Sequence, residues 1–302
     1  MKVDRMKEPA PQWGAVVVNY EAGPLLLACV RSLFADSSAG TPEVVIVDNG
    51  STDGSVAEIE RAFPAVRVVT PVGNLGYSAA ANLGIAHTTA PVVAVGNPDL
   101  EVEVGTAAAM LARMRAEQDL AAIGPALRNP DGTQYPSARA HVSGLDAVGH
   151  AVLGRARPRN RFTRRYRQLD ADWDQPRDVD WVSGALVFLR RSAVDSVGGW
   201  DERYFMYMED VDLCWRLRRL GWRVGYDPAG AAVHVQGAST EGHPYRMILE
   251  HHRSAYRFAS RRWQGLRRGL LPPTALFLAL RAVLDMAARG LRTRPELPKV
   301  SR

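Results

Sequence analysis

The sequence predicts an α/β fold, in which a mainly parallel, Rossmann-like sheet carries helices on both faces and a basic helical extension follows at the C-terminus. Three observations predict this arrangement. Short β-branched runs recur in the first third of the chain, segments of helical length separate them, and arginines are concentrated near the C-terminus. Near-continuous apolar strands that alternate with helices are typical of parallel sheets covered on both faces.

Four apolar runs are the predicted strands of the first half, and three segments between them are the predicted helices. The strands are expected at residues 15–18, 44–47, 66–69 and 92–95, and the helices at residues 25–34, 54–63 and 78–87. Polar residues follow three of the strands, at Asn19-Tyr20, at Asp48 and at Asn97-Pro98-Asp99. Ligands of open α/β sheets bind beyond the carboxyl ends of the strands. We therefore expect these side chains to converge on one crevice.

The second half has a less regular pattern, and we expect it to complete the same sheet. An apolar strand is predicted over residues 181–190 and a helix over residues 211–220. The predicted organisation is a tail (1–12), two halves of one domain (13–125 and 126–243) and a basic helical extension (244–302).

Composition and short motifs limit the class of protein. With 302 residues, 46% of them hydrophobic and 23% charged, the chain can bury a large core, and wholesale disorder is excluded. Cys29 and Cys214 have no metal-ligand spacing and suit a reducing compartment. The charged N-terminus indicates no signal peptide, so we expect a cytoplasmic protein. The fingerprints of dinucleotide-binding dehydrogenases and of P-loop nucleotidases are both absent from the sequence.

Positive charge is concentrated at the C-terminus. The net charge is +6, yet residues 245–302 carry +10, which leaves −4 for the rest of the chain. Such a tail indicates an anionic partner: a membrane, a phospholipid-like substrate or nucleic acid. Residues 274–289 form an apolar helical pattern with one polar stripe, shorter than the roughly 20 residues that span a bilayer. We expect an interfacial helix on the inner face of the cell membrane; packing on the protein's own core or on a second subunit of a homo-oligomer is the alternative.

The segment from Arg203 to Arg216 gives the clearest indication of function. Its carboxylates, Glu209, Asp210 and Asp212, follow an aromatic and methionine-rich run and precede a helical pattern. A catalytic base held in a shielded pocket requires this combination of charge and apolar surface. The alternative is structural, because acids stabilise the positive end of a helix dipole and Asp212 can pair with Arg216 one turn later.

Asp48, Asp99 and His234 are candidate ligand-binding residues. Because the residues after Asp48 already offer capping groups, we interpret its carboxylate as available to accept a hydrogen bond from a base. One carboxylate with substrate phosphates is a common way to hold Mg²⁺ or Mn²⁺, which makes Asp99 a candidate ligand, although Asn-Pro-Asp is also an ordinary turn. His234, beside valines, is either a core residue or a second ligand of that metal.

Five motifs occur in order along the chain. They are Val-Val-Asn-Tyr (17–20), Val-Asp-Asn-Gly-Ser-Thr-Asp-Gly-Ser (47–55), Asn-Leu-Gly-Tyr-Ser (74–78), Asn-Pro-Asp-Leu (97–100) and Met-Glu-Asp-Val-Asp-Leu-Cys-Trp-Arg (208–216). Together they resemble the family 2 inverting glycosyltransferases of GT-A fold, over roughly residues 13–260. Residues 135–139, 158–160 and 198–208 are similar to those of the family's rhamnosyltransferases that act on polyprenyl-linked GlcNAc.

The resemblance implies a role for each candidate residue. The expected nucleotide-sugar-binding residues are Asn19, Tyr20, Asp48, Asn74 and Asn97. The expected catalytic base is Asp210, the expected metal ligands are Asp99 and His234, and the expected acceptor contacts are Trp181 and Glu209. The first position of the family's Asp-x-Asp motif is here Asn97, which removes one negative charge.

The resemblance also implies the reaction. We expect an inverting, Mg²⁺- or Mn²⁺-dependent transfer of L-rhamnose from dTDP-L-rhamnose to polyprenyl-diphosphoryl-GlcNAc in cell-wall linker synthesis. Residues 13–125 would bind the nucleotide sugar and residues 126–243 the acceptor. Apart from the resemblance, the arginines of the segment 154–168 indicate that its loop 155–167 contacts either the acceptor diphosphate or phospholipid head groups. The alternative is a UDP-sugar-dependent enzyme of the family with another polyprenyl-linked or glycan acceptor. A non-catalytic nucleic-acid or membrane-binding protein is disfavoured because it has no use for the clustered acids, and no nucleic-acid partner is expected.

Overall fold

The computed structural model describes residues 11–139, 149–150, 152–154, 156–167, 171–235 and 243–292. The first half contains β1 (Gly14–Asn19), α1 (Pro24–Ala35), β2 (Glu43–Asp48), α2 (Ser55–Ala62), β3 (Arg67–Val69), α3 (Tyr77–Ala86), β4 (Val92–Gly96), β5 (Leu100–Val102) and α4 (Thr106–Ala116). The second half adds the strands β6 (Leu120–Arg128), β7 (Gln134–Tyr135), β8 (Ala138–Arg139), β9 (Arg177–Asp178), β10 (Trp181–Val182), β11 (Leu186–Arg190) and β12 (Arg223–His234). Its helices are α5 (Arg161–Arg167), α6 (Arg191–Ser196), α7 (Glu209–Arg219), α8 (Pro244–Arg262) and α9 (Leu271–Arg292).

The main sheet has the strand order β3-β2-β1-β4-β11-β6-β12-β5, with β7 beside β6 and β9 beside β12. Strands β1 to β4 pair in parallel, as do β6 and β12, whereas β11 runs antiparallel between β4 and β6. One apolar cluster, which includes Leu26 and Met110, covers one face, and a second, which includes Ala80 and Leu213, covers the other. The predicted α/β sheet with helices on both faces is confirmed, and both halves of the chain contribute strands to it.

Three elements of the second half differ from the predictions. The expected strand over residues 181–190 is divided into β10 and β11, because the N–H of Gly184 donates to a side chain of α7 instead of to a neighbouring strand. β6 continues through residue 125, so the predicted division falls inside a buried strand. β12 was not predicted, because Pro228 and two glycines interrupt its apolar pattern and the register shifts between Asp227 and Ala231.

α8 and α9 form an antiparallel helical pair, joined by a short 3₁₀ helix over Gly265–Leu270. Asp285 of α9 lies 3.8 Å from His252 of α8, and Gly290 lies beside the Tyr245 hydroxyl. At 22 residues, α9 is longer than the predicted 274–289, so the length argument against a membrane span is wrong. The segment Gly265–Gly290 is long and apolar enough to cross a membrane: it contains an 18-residue window with a mean hydropathy of 1.5, of which 6% is buried.

Candidate active site

A large cavity opens at the carboxyl ends of β1 and β4 and continues past α7 into the groove between α8 and α9. Its volume is about 1460 Å³. The predicted site residues on its wall are Tyr20, Asn74, Asn97, Asp99, Trp181, Glu209, Asp210 and His234. Asn19 and Asp48 are buried behind this wall. Acidic residues that are far apart in the sequence therefore share one cavity.

Asp210 lies in the first turn of α7, where the backbone is strained and the carboxylate is fixed. Tyr207 and Met208, just before the helix, have left-handed φ values of 68° and 66°, a conformation that costs non-glycine residues about 1–3 kcal/mol each. Oδ2 of Asp210 accepts a hydrogen bond from the N–H of Gly184 at 3.0 Å, and Oδ1 accepts one from the N–H of Val211 at 2.8 Å. These two bonds set the direction of the carboxylate.

Burial raises the pKa values of both acids at the start of α7. Loss of solvent raises the pKa of Glu209 well above the ordinary carboxyl value, and the neighbouring charge of Asp210 raises it further. Burial also raises the pKa of Asp210, although backbone N–H donors and the positive charge of Arg139 oppose this. Oε2 of Glu209 has no hydrogen-bond partner among the described residues. Adjacent acids with raised pKa values are suited to accept a proton during a reaction.

The start of α3 holds the loop that precedes α7. The N–H of Tyr77 donates to the carbonyl of Phe205 at 2.7 Å, and the Tyr77 hydroxyl donates to the carbonyl of Gly184. Gly76 has a φ of 80°, and a Cβ at this position would lie 2.5 Å from the Phe205 carbonyl oxygen. Only glycine permits this approach. The motif at residues 74–78 thus positions both segments that fix Asp210.

Asp99 and His234 form the part of the wall that fits a divalent cation. Oδ1 of Asp99 lies 3.2 Å from Nε2 of His234, close to the roughly 3 Å that separates two neighbouring ligands of an octahedral ion with bonds of about 2.1 Å. Oδ1 of Asp99 is buried and has no hydrogen-bond partner in the described part of the chain, and Nε2 of His234 lies 3.2 Å from Nδ2 of Asn97. Within that part, no group of three His, Cys, Asp or Glu side chains could hold a metal. Substrate phosphates and water would therefore complete the coordination.

The turn after β2 uses the Asp48 carboxylate for its own structure. Oδ1 accepts hydrogen bonds from Nδ2 of Asn19 at 2.8 Å and from Oγ of Ser51 at 2.6 Å. Oδ2 accepts from the N–H groups of Gly50 and Ser51 at 3.3 Å and 3.0 Å. The expectation that the following residues would leave Asp48 available is therefore wrong, because their backbone donors need its oxygens. Its contact with a base stays a prediction, and Asn49, which was not predicted, lies on the cavity wall.

Arg139 and Trp181 lie beside Asp210, on the paired strands β8 and β10. The guanidinium carbon of Arg139 lies 5.2 Å from the centre of the Trp181 ring, and both side chains line the cavity. Trp181 was a predicted acceptor contact, whereas Arg139 was noted only as part of a motif. The stacked pair offers a flat apolar surface with a positive edge, which suits a sugar attached to a phosphate.

Asp212 has a structural role away from the cavity. Its side chain is 0% exposed and lies 2.6 Å from Nε of Arg216 and 3.2 Å from Nη1 of Arg261. Arg261, on α8, also pairs with Asp201. The sequence predicted the pair with Arg216 inside one helix. The structure shows that the same carboxylate joins α7 to α8, a long-range contact that helical spacing does not reveal.

The arginine-rich segment 154–168 is described only in part. Arg155 and residue 168 lie outside the described residues. The arginines at positions 157, 159, 161, 164 and 165 do not line the cavity. The expected contact of this segment with the acceptor diphosphate stays a prediction.

The chain matches the family model of glycosyl transferase family 2 over residues 15–197, and that of glycosyl transferase family group 2 over residues 158–287. It is 38% identical to the N-acetylglucosaminyl-diphospho-decaprenol L-rhamnosyltransferase of Mycobacterium tuberculosis over 291 residues, which cover 92% of this chain and 94% of that protein. It is also 37% identical to the rhamnosyltransferase WbbL of Escherichia coli over 84 residues, 28% of this chain and 32% of that protein.

Solved structures show the same fold. The mannosyltransferase PcManGT from Pyrobaculum calidifontis, in complex with GDP-Man and Mn²⁺, superposes with a TM-score of 0.55 at 15% identity, over 97% of this chain and 81% of that one. GalNAc-T7, in complex with UDP, GalNAc and Mn²⁺, superposes with a TM-score of 0.54 at 15% identity, over 89% of this chain and 55% of that one. The chain therefore belongs to glycosyl transferase family 2 and is a glycosyltransferase with a GT-A-like fold.

Proposed function

We propose that this glycosyltransferase transfers L-rhamnose, with inversion, from dTDP-L-rhamnose to the GlcNAc of a polyprenyl diphosphate. The observation that carries the proposal is that Asp210, fixed at the start of α7, faces the same cavity as Asp99 and His234. A base on one side of a cavity and a cation site on the other are what a single displacement at a sugar diphosphate needs. The choice of sugar and acceptor is supported by the 38% identity to the mycobacterial rhamnosyltransferase.

Asp210 is the proposed catalytic base. Its carboxylate takes the proton of the attacking GlcNAc hydroxyl, whose oxygen bonds to the anomeric carbon as the bond from that carbon to the nucleotide diphosphate breaks. General-base catalysis typically contributes about 10²–10⁴-fold to the rate. Trp181 and Glu209, on the same part of the wall, are the proposed acceptor contacts.

Asp99 and His234 are the proposed ligands of Mg²⁺ or Mn²⁺, with Asn97 beside them. When bound, the cation stabilises the charge that develops on the departing diphosphate. We place the pyrimidine base against Tyr20 and Asn49, with Asn74 nearby on the wall. Asn19 and Asp48 hold the turn that presents this pocket.

We further propose that the protein is cytoplasmic and attached to the inner face of the cell membrane through the outer face of α9. Four large apolar side chains on this face are 58–63% exposed: Leu276, Leu280, Val283 and Leu284. The opposite face of α9 carries Arg281 and Asp285 and lines the cavity. An interfacial orientation suits such a one-sided helix better than a span. A helix that spans the bilayer alone is surrounded by lipid, so its polar face would also lie in lipid.

The reaction is tested with a panel of dTDP- and UDP-sugars and a polyprenyl-diphosphoryl-GlcNAc acceptor, in the presence of Mg²⁺ or Mn²⁺. We expect turnover with dTDP-L-rhamnose and an inverted linkage by NMR. Faster transfer from a UDP-sugar would replace the donor assignment.

Membrane attachment is tested by flotation with anionic liposomes. The double variant Leu280→Ser/Leu284→Ser should bind the liposomes less than the wild type, and Tyr256→Ser, at an exposed residue of α8, should bind as the wild type does. Equal binding by the double variant and by Tyr256→Ser would refute attachment through α9.

A further inference from the structure

The cavity is larger than a nucleotide sugar requires. Small-molecule pockets usually enclose roughly 300–1,000 Å³, whereas this cavity encloses about 1460 Å³. The additional space lies beyond Asp210, between α8 and α9. Its walls are the inner faces of these two helices.

This groove is continuous with the loop that precedes α7. The Oγ of Ser254, on α8, donates to the carbonyl of Met206 at 2.9 Å, and the rings of His251 and Tyr207 lie 5.3 Å apart. Phe258, one turn further along α8, packs against Val211 of α7. A ligand whose reacting sugar lies at Asp210 can therefore extend directly into the groove.

The groove is lined by apolar and polar side chains of both helices. The apolar residues on its wall are Met247, Ala255, Phe258 and Ala259 of α8 and Pro273, Phe277 and Leu278 of α9. Polar residues share this wall, among them His251, His252, Arg281 and Asp285. The apolar residues of α8 recur at helical spacing and form a stripe along the groove. An elongated aliphatic ligand fits along these apolar side chains.

Two arginines stand at the end of the groove where α8 meets the 3₁₀ helix. Arg262 and Arg267 both line the cavity, and neither has a carboxylate partner among the described residues. Burial, and then the positive charge of Arg267, lower the pKa of Arg262. An anionic group between them would relieve this repulsion, and phosphate oxygens accept hydrogen bonds from guanidinium groups in bidentate fashion.

We infer that the groove between α8 and α9 binds the isoprenoid diphosphate of the acceptor, with Arg262 and Arg267 contacting the phosphates and Phe277 contacting the isoprenoid chain. The inference rests on the proposed function and adds a site for the lipid part of the substrate. It separates the two faces of α9: the inner face holds the substrate lipid and the outer face meets the membrane.

Binding is tested first, without any donor. The full-length protein in detergent micelles is titrated with polyprenyl diphosphate, and tryptophan fluorescence is followed. Arg262→Gln/Arg267→Gln should weaken binding at least about tenfold, whereas Arg268→Gln, the neighbouring arginine that does not line the cavity, should bind as the wild type. Excess phosphatidylglycerol should not displace the ligand. Wild-type affinity in the double variant, or equal competition by phosphatidylglycerol, would overturn the inference, the latter by assigning the groove to membrane phospholipid.

Steady-state kinetics then separate this site from the reaction itself. Phe277→Ser should raise KM for a long-chain acceptor several-fold and leave kcat and KM for dTDP-L-rhamnose unchanged, and the effect should disappear with a short-chain acceptor. Leu249→Ser, an exposed residue of α8 away from the cavity, is the control. If the wild type transfers rhamnose but all variants keep its acceptor KM, the groove assignment fails and the proposed function stands. If no rhamnose is transferred but polyprenyl diphosphate binds through the two arginines, the function fails and the groove stands.

Discussion

Buried carboxylates occur both at the turn after β2 and around the cavity that Asp210 lines, but their surroundings differ. Both oxygens of Asp48 accept hydrogen bonds from the turn itself. In contrast, Oδ1 of Asp99 and Oε2 of Glu209 have no hydrogen-bond partner in the part of the chain that is described. Because buried polar groups are almost always paired in folded proteins, the first arrangement indicates a structural role. The second indicates groups that a substrate, a proton or an ion completes.

The largest effect is expected from Asp210→Asn. Loss of the proton acceptor should lower kcat about 10²–10⁴-fold, while the affinity for dTDP-rhamnose, measured by calorimetry, stays within a few-fold of the wild-type value. Glu209→Gln in the same helical turn is the matched comparison and should lower kcat much less. If Glu209→Gln abolished turnover and Asp210→Asn did not, the base would be Glu209.

Asp99→Asn is expected to remove the benefit of metal for donor binding. In the wild type, Mn²⁺ should increase the affinity for dTDP, and in the variant this increase should be lost, because the remaining side-chain ligand, His234, does not supply a negative charge. Glu101→Gln, an exposed acid on the short strand that follows, is the control. Calorimetry with and without Mn²⁺ decides the matter, and an equal Mn²⁺ effect in Asp99→Asn would remove this residue from the metal site.

Asp48→Asn tests the comparison of the two carboxylates through the free energy of unfolding. An amide has one acceptor oxygen and adds donors that face the N–H groups of Gly50 and Ser51, so we expect a loss of about 1–3 kcal/mol in unfolding free energy. Asp99→Asn should cost clearly less, because Oδ1 of Asp99 accepts no hydrogen bond in the described structure. Urea unfolding of both variants without ligands measures the difference. Equal losses would mean that hydrogen-bond pairing does not distinguish the two carboxylates.

The features that were predictable from the sequence depend on neighbours in the chain. Strands β1, β2 and β4 are near-continuous apolar runs, and the acids at 209–212 precede a regular helical pattern. The features that were missed depend on contacts between distant segments. Gly184 fixes Asp210 from 26 positions away, and Arg261 reaches Asp212 from the extension. The hydrogen-bond partners of Asp48 were missed for another reason. The turn contains several polar side chains that could cap its backbone N–H groups, and the sequence does not show which of them does so.

The smallest expected effect is a pH dependence of the unfolding free energy that comes from Glu209, on the cavity side of the comparison. Because burial and Asp210 raise the pKa of Glu209, the folded state retains this proton at pH values where the unfolded chain has lost it. The free energy of unfolding therefore falls as pH rises above the ordinary carboxyl value, and the full penalty is present once Glu209 ionises in the folded protein. Glu209→Gln cannot ionise, so it should match the wild type near pH 4 and exceed it by on the order of 1 kcal/mol at high pH. Urea unfolding across this range measures the difference, and a stability gain that is independent of pH would show that packing, and not the buried charge, causes it.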